Sequence, residues 1–297
     1  MPTIFALLSG VRRLVISFRG DPLWNRFTDD ARAAFCSILA LPSLRCVGFF
    51  RCTNVPAALI RHALSDYEEV ALIVTELDPA DPRISLLCRN QSRPTATLHH
   101  LAIENSKDPD ALLILVMDEM EASLRWVKRV ELSLTEPGTL DGLEKIAVRC
   151  SPTLEHLVVN LNDFHNTRFD LPKLPNLRCL TLTANAKRLR VPVAMQDVIT
   201  TLPKRMHHLE VLNIIVKAQF EDYHHYRPDR EMDEALKNLP CLRDVHFSTS
   251  LSNSAWKKYE FDKDMTIMLP MANDAGLLSF SKWSSRRRYH RMIHFSN

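Results

Sequence analysis

LEHLVVNLNDF, residues 154–164, is the stretch whose reading decides the fold. Leu154, Leu157 and Val159 stand at i, i+3 and i+5, Asn162 falls eight positions after the first of them, and Phe164 closes the run. Successive side chains of a strand point to opposite faces. Leu157 and Val159 therefore share one face, and His156, Val158 and Asn160 share the other. A small polar residue at the Asn162 position satisfies backbone groups where the chain turns out of the strand.

The same spacing recurs along the chain. Val11/Leu14/Ile16, Leu44/Val47/Phe49, Tyr67/Val70/Leu72, Leu98/Leu101/Ile103 and Val127/Val130/Leu132 precede the central copy. Leu177/Leu180/Leu182, Leu209/Leu212/Ile214 and Leu242/Val245/Phe247 follow it. The middle residues are separated by steps of 33, 23, 31, 29, 27, 23, 32 and 33 residues, an irregular period averaging about 29. The turn position supplies an independent check, because the apolar template does not select it. It holds Arg19, Cys52, Thr75, Ser106, Thr135, Asn162, Asn185, Lys217 and Ser250, seven of which are small and polar. Cys52, Asn162 and Asn185 are the clearest structural caps. This combination is the leucine-rich-repeat pattern.

Helices are expected between the strands, over 29–39, 110–126, 140–149, 194–202 and 229–239. Acidic residues such as Asp29, Asp30, Asp141 and Glu231 open several of them, as the helix dipole favours. Prolines in LALPSL (39–44), CSPTL (150–154) and NLPCL (238–242) stop them, since proline cannot donate the next hydrogen bond. A strand, turn and helix cannot bury an apolar face alone, so successive units must stack. The expected fold is α/β: an irregular leucine-rich-repeat solenoid, a horseshoe with a parallel concave sheet and convex helices. About nine repeats would fill residues 1–280, and 281–297 would be a basic C-terminal tail.

Composition narrows the function. Six glycines in 297 residues leave little from which to build phosphate-cradling loops. A net charge of +3 implies no strong general attraction to nucleic acid or anionic membrane. The seven cysteines include no CxxC pair, which points to reduced thiols and a location in the cytoplasm or nucleus. The apolar run 111–117 is too short to cross a bilayer, and MPTIFALLSG lacks the basic start of a secretory signal.

With the template residues buried, the residues between them face the concave side. Phe50, Ile73, His100, Glu104, Arg129, Glu131 and His156 are the candidate partner-binding residues of the first six strands. Val158, Asn160, Thr181, Val211, Asn213, Ile215, Asp244 and His246 continue the surface. Apolar anchors among polar groups suit a protein partner. The alternative is a solvated sheet with no partner.

LPSLRCVGFF (41–50), LPNLRCLTLT (174–183), LPCLRDVHFS (239–248) and the closing LPMANDAGLLSF (269–280) resemble the C-terminal repeat region of fungal F-box and leucine-rich-repeat proteins. The resemblance covers most of the chain. It implies a substrate-recognition role within an SCF-type ubiquitin ligase, and a terminal strand after the last repeat. In that family an N-terminal F-box docks on a Skp-type adaptor and a cullin. Here the first repeat begins at Val11 and no F-box-like segment precedes it, so adaptor and cullin are expected only if an F-box is supplied elsewhere.

Other constellations carry less. FEDYHHYRPDR (220–230) gathers carboxylates and imidazoles, but adjacent histidines seldom converge on one ion, so neither metal nor cofactor is expected. His99/His100 and His207/His208 read as surface pairs with one member on each face. No GxSxG elbow or family-specific cysteine motif occurs, and no catalytic residue is assigned. The tail SKWSSRRRYHRMIHF (281–295) carries four arginines, one lysine, Trp283 and Tyr289, the basis of an alternative reading as a nucleic-acid-binding protein.

Overall fold

The computed structural model describes residues 10–17, 28–78, 97–104, 121–133, 139–161, 170–186, 191–218, 228–249 and 255–282. They fall into two compact units that divide after Val127. Both are mixed α/β with parallel sheets.

In the first unit, β1 (Arg13–Ser17), β2 (Cys46–Phe50), β4 (Glu69–Ile73) and β6 (His100–Glu104) pair in that order, all parallel. A separate two-stranded piece joins β3 (Val55–Pro56) to β5 (Leu77–Asp78). Parallel neighbours require a crossover. α1 (Asp29–Leu39) and α2 (Ala57–Asp66) supply two of these, and a short α3 (Glu121–Leu124) follows β6.

In the second unit, β7 (Arg129–Ser133), β8 (His156–Asn160), β9 (Cys179–Ala186), β10 (Val211–Ala218), β11 (Asp244–Thr249) and β12 (Leu278–Lys282) pair successively, again all parallel. α4 (Thr139–Cys150), α5 (Val193–Thr201), α6 (Arg230–Lys237), α7 (Ala255–Met268) and α8 (Pro270–Asp274) lie between the strands in sequence.

All nine template segments contain a strand, and each strand starts two residues after the first template residue. The middle template residues sit directly opposite one another. Leu14, Val47, Val70 and Leu101 form one row in the first unit; Val130, Leu157, Leu180, Leu212 and Val245 form the corresponding row in the second. All but Leu14 in these rows are fully enclosed. Such aligned burial contributes roughly 1.5–3 kcal/mol per aliphatic side chain. The third template positions form a parallel row, ending in Phe247, whose ring meets Phe261 of α7 at 6.2 Å and Phe280 of β12 at 6.0 Å.

Helix boundaries follow local chemistry. α1 covers the expected 29–39, with Thr28 Oγ1 accepting from Ala31 N. α4, α5 and α6 fall within two residues of the expected 140–149, 194–202 and 229–239 at each end; Asp229 caps α6 by accepting from Met232 N at 3.1 Å, and a single 3₁₀ turn, Leu202–Lys204, extends α5. Only the end of the expected 110–126 helix lies among the described residues. α2, α7 and α8 were not expected. Tyr67 takes a leucine position because its ring is fully buried while its hydroxyl donates to the Leu39 carbonyl at the end of α1.

No described helix is long and apolar enough to cross a membrane.

Candidate functional site: the polar sheet face and its charged margin

Each sheet has an apolar face, built from the template rows, and a polar face carrying the residues between them. In the first unit the polar face consists of three rows. Arg13, Cys46, Glu69 and His100 form the first, Val15, Gly48, Ala71 and Ala102 the second, and Ser17, Phe50, Ile73 and Glu104 the third. In the second unit the first row runs Arg129, His156, Cys179, Val211, Asp244. The second runs Glu131, Val158, Thr181, Asn213, His246, Ser279, and the third Ser133, Asn160, Thr183, Ile215, Ser248, Ser281.

The expected contact residues divide by exposure. His156 is exposed, while Phe50, Arg129, Val158, Thr181, Val211, Asn213, Ile215, Asp244 and His246 are half-buried and reach solvent. Ile73, His100, Glu104, Glu131 and Asn160 are not the exposed groups that strand alternation implies: they keep 8, 7, 4, 8 and 1% of their surface. The physical reason is the ladder. Parallel strands stand only about 4.8 Å apart, so in-register side chains cover each other's flanks. His100 lies 4.0 Å from the Glu69 carboxylate, and the Asn160 amide donates to Ser133 Oγ at 3.1 Å. Arg129 folds over Glu131 with N···O distances of 2.7 and 2.8 Å. The accessible groups of this face are therefore Phe50, Val158, Val211 and Ile215 together with the polar His156, Thr181, Asn213, Asp244 and His246.

The turn position has structural work of its own. The Cys52 thiol lies 3.6 Å from the Ile16 carbonyl and 3.5 Å from that of Phe50; Thr75 Oγ1 donates to the carbonyls of Phe49 and Ile73 at 3.2 and 3.3 Å. Burial pushes the Cys52 thiol up to about 12, so it is no nucleophile at neutral pH. Asn185 lies within β9 rather than past its end, opposite Lys217, because β9 and β10 run to eight residues. Asn162 lies outside the described residues, as do 220–227 of the FEDYHHYRPDR segment and all of the basic stretch after Lys282.

A second feature escaped the sequence reading. The residue just before each of the strands β7 to β11 of the second unit is charged, and the signs alternate: Lys128, Glu155, Arg178, Glu210, Arg243. Lys128 pairs with Glu155 at 3.3 Å and Arg178 with Glu210 at 3.7 Å. The first unit has a matching pair, Arg45 with Glu68 at 3.6 Å. One backbone geometry repeats beneath them. The Lys128 carbonyl accepts from Glu155 N and His156 N, that of Glu155 from Arg178 N and Cys179 N, and that of Arg178 from Glu210 N and Val211 N. A groove along this margin is lined by Lys128, Glu155, Arg178 and Glu210 together with Asn176, His208 and Cys241. The signal was present in the sequence, as a charge directly after the first apolar residue of every copy but the one that holds His99 there.

Histidine placement is mixed. His208 lines the groove and His207 is exposed, whereas His99 contacts the Trp126 carbonyl at 3.4 Å and His100 is buried. Among the described residues no group of three His, Cys, Asp or Glu side chains converges as metal ligands would.

No protein-family model and no curated protein matches the chain.

Proposed function

We propose that the chain is a leucine-rich-repeat protein whose polar sheet face is the concave side of a horseshoe and binds another protein. The observation that carries this reading is the set of half-exposed apolar residues Val158, Val211 and Ile215 held in fixed register among His156, Thr181, Asn213 and His246 in the second unit, with half-buried Phe50 on the polar face of the first. Aliphatic and aromatic anchors ringed by polar groups are what a protein partner desolvates with profit to affinity. A rigid ladder also presents them without the entropy cost of ordering a loop on binding. The resemblance to fungal F-box and leucine-rich-repeat proteins adds a role in substrate recognition for an SCF-type ligase, with Skp-type adaptor and cullin joining where an F-box is supplied.

The test is affinity purification of the tagged chain from its native cell, beside a bait carrying Phe50→Asp and Ile215→Asp. The strongest specific partner is then measured against both purified baits by calorimetry. A partner that binds the first and loses at least tenfold in affinity for the second supports the reading. A partner indifferent to the double substitution, or none at all, removes it. Recovery of adaptor and cullin among the bound proteins decides the ligase role.

A further inference from the structure

The polar face ends in a different kind of arrangement where β11 meets β12. Register places His246 opposite Ser279 and Ser248 opposite Ser281. His246 Nδ1 lies 2.7 Å from Ser279 Oγ, and His246 Nε2 lies 2.7 Å from Ser281 Oγ. Ser279 Oγ donates to Asp244 Oδ1 at 2.6 Å, and the Ser248 and Ser281 hydroxyls are 2.8 Å apart.

With Asp244 as a carboxylate and His246 as a neutral imidazole, one set of proton positions satisfies every contact, because an ionised carboxylate only accepts. Ser279 must direct its O–H at Asp244, so it accepts from His246 Nδ1–H. A neutral imidazole has a single N–H, which leaves the Nε2 lone pair to accept from the Ser281 hydroxyl. Ser281 Oγ in turn accepts from Ser248. The chain of donors thus runs from Ser248 through Ser281 and His246 to Ser279 and Asp244, in one direction. A hydroxyl bonded to the unprotonated nitrogen of an imidazole whose other nitrogen is held by an acceptor is the arrangement that activates a serine; here that acceptor is Ser279, itself anchored on the Asp244 carboxylate.

We propose that Ser281 is a nucleophile, with His246 as its general base and Ser279 and Asp244 as positioning residues, in a site that hydrolyses short aliphatic carboxylic esters. Ser281 Oγ bonds to the ester carbonyl carbon as its proton passes to His246 Nε2. The tetrahedral intermediate collapses by breaking the ester C–O bond, and the alcohol leaves with that proton. Water then attacks the acyl-serine, giving its proton to His246; collapse returns it to Ser281 and releases the acid. The aliphatic preference comes from β10, where half-exposed Val211 and Ile215 stand opposite Asp244 and Ser248. This activity goes beyond partner binding and does not depend on it. Motif search misses it because the base and nucleophile lie 35 residues apart on separate strands.

The experiment is labelling of the full chain with a fluorophosphonate, mapped by peptide mass spectrometry, together with p-nitrophenyl butyrate turnover. The expected result is an adduct on Ser281. Turnover falls about 10²–10⁴-fold in Ser281→Ala and His246→Gln, in variants that still melt cooperatively. Ser279→Ala slows labelling and Ser279→Thr restores it, which a purely structural role for that hydroxyl would not produce. Wild-type protein that folds but gives no Ser281 adduct overturns the proposal even if every variant misfolds. A labelling rate unchanged in folded His246→Gln does so as well, and failure of Ser279→Thr to rescue removes the positioning role.

Discussion

Asp233 is the carboxylate on which the segment leading into β12 depends. It sits in α6, is 1% exposed, and accepts from Met271 N at 2.8 Å and Ala272 N at 2.9 Å. Those two amides belong to the first turn of α8, where no intrahelical acceptor exists. Asp233 therefore caps a helix 38 residues further along the chain. Asp233→Ala leaves both donors without a partner. A buried donor orphaned in this way costs about 1–3 kcal/mol, with bonds to charged groups toward the upper end. Met271 N is only part-buried, so water recovers some of its share, and the expected loss is about 2–4 kcal/mol. Asp233→Asn keeps one acceptor oxygen and loses about half of that. Urea denaturation measures it, with the midpoint falling at unchanged slope. Exposed Glu144 of α4 provides the control, because surface substitutions usually stay within about 0.5 kcal/mol. If Asp233→Ala costs no more than Glu144→Ala, the cap does not hold α8. The argument that Asp233 secures the approach to Ser279 and Ser281 then fails with it.

Gly48 occupies the polar face of β2, and a Cβ there would meet Val15 Cγ2 at 3.7 Å and Ala71 Cβ at 3.9 Å, ordinary contacts. Gly48→Ala should therefore stabilise by about 0.4–1 kcal/mol through the unfolded state, read as a small rise in Tm; a marked fall would mean the β1–β2–β4 register is wrong. Phe247→Ala opens a space between Phe261 and Phe280 and should cost about 3–5 kcal/mol in chemical denaturation; less than about 1 kcal/mol would contradict its place in the core. The Cys46, Cys52 and Cys150 thiols are each pushed up to about 12, burial being the main cause. A folded-state pKa raised above the unfolded value makes stability complete below pH 9 and progressively lost between pH 9 and 12. At pH 8, iodoacetamide should alkylate half-exposed Cys179 and Cys241 well before these three, and equal rates would refute their burial. Arg178→Glu places like charges beside Glu155 and Glu210 and should cost no more than about 1 kcal/mol. Adding Glu210→Arg should recover the Arg178–Glu210 part of that in a double-mutant cycle, and zero coupling energy would show that the margin pairs contribute nothing.

Strands were legible because their signal is local and doubly constrained. The i, i+3, i+5 spacing names both the buried residues and, through Leu44, Leu154 or Leu177, the point two residues before each strand begins. Helices were legible where acidic residues and a proline bracket them, as with Asp29, Asp30 and Pro42 around α1. α2 escaped because Pro56 begins it without a side-chain cap and Tyr67, the next template residue, follows directly. α8 escaped because its cap comes from Asp233, on another helix, and no local pattern announces a distant acceptor. On the candidate site, alternation correctly assigned which residues share the polar face. It could not say how much of each remains accessible, since that depends on the neighbour a strand away: Glu104 and Asn160 read as surface residues and are enclosed. The Ser279–His246–Ser281 contacts were invisible for the same reason, being set by register between strands and not by spacing along one.

The irregular period and the regular register have a common explanation. Steps of 23 to 33 residues between successive middle positions would displace any structure whose geometry depended on total repeat length. Here the rows remain aligned because register is fixed at the strand itself. The carbonyls of Lys128, Glu155, Arg178 and Glu210, each just before a strand, take two amides from the start of the next strand. Length variation is then confined to the return segments, where loop closure costs only about 0.6 kcal/mol per doubling. A one-residue slip would instead turn every template side chain onto the polar face, at about 1.5–3 kcal/mol for each buried aliphatic exposed. The charged residues at the margin sit on the very carbonyls that set this register, so their alternating signs act on strand order: each sign faces its opposite only when neighbours are paired in sequence, and a skipped strand would bring Lys128 against Arg178 and Glu155 against Glu210.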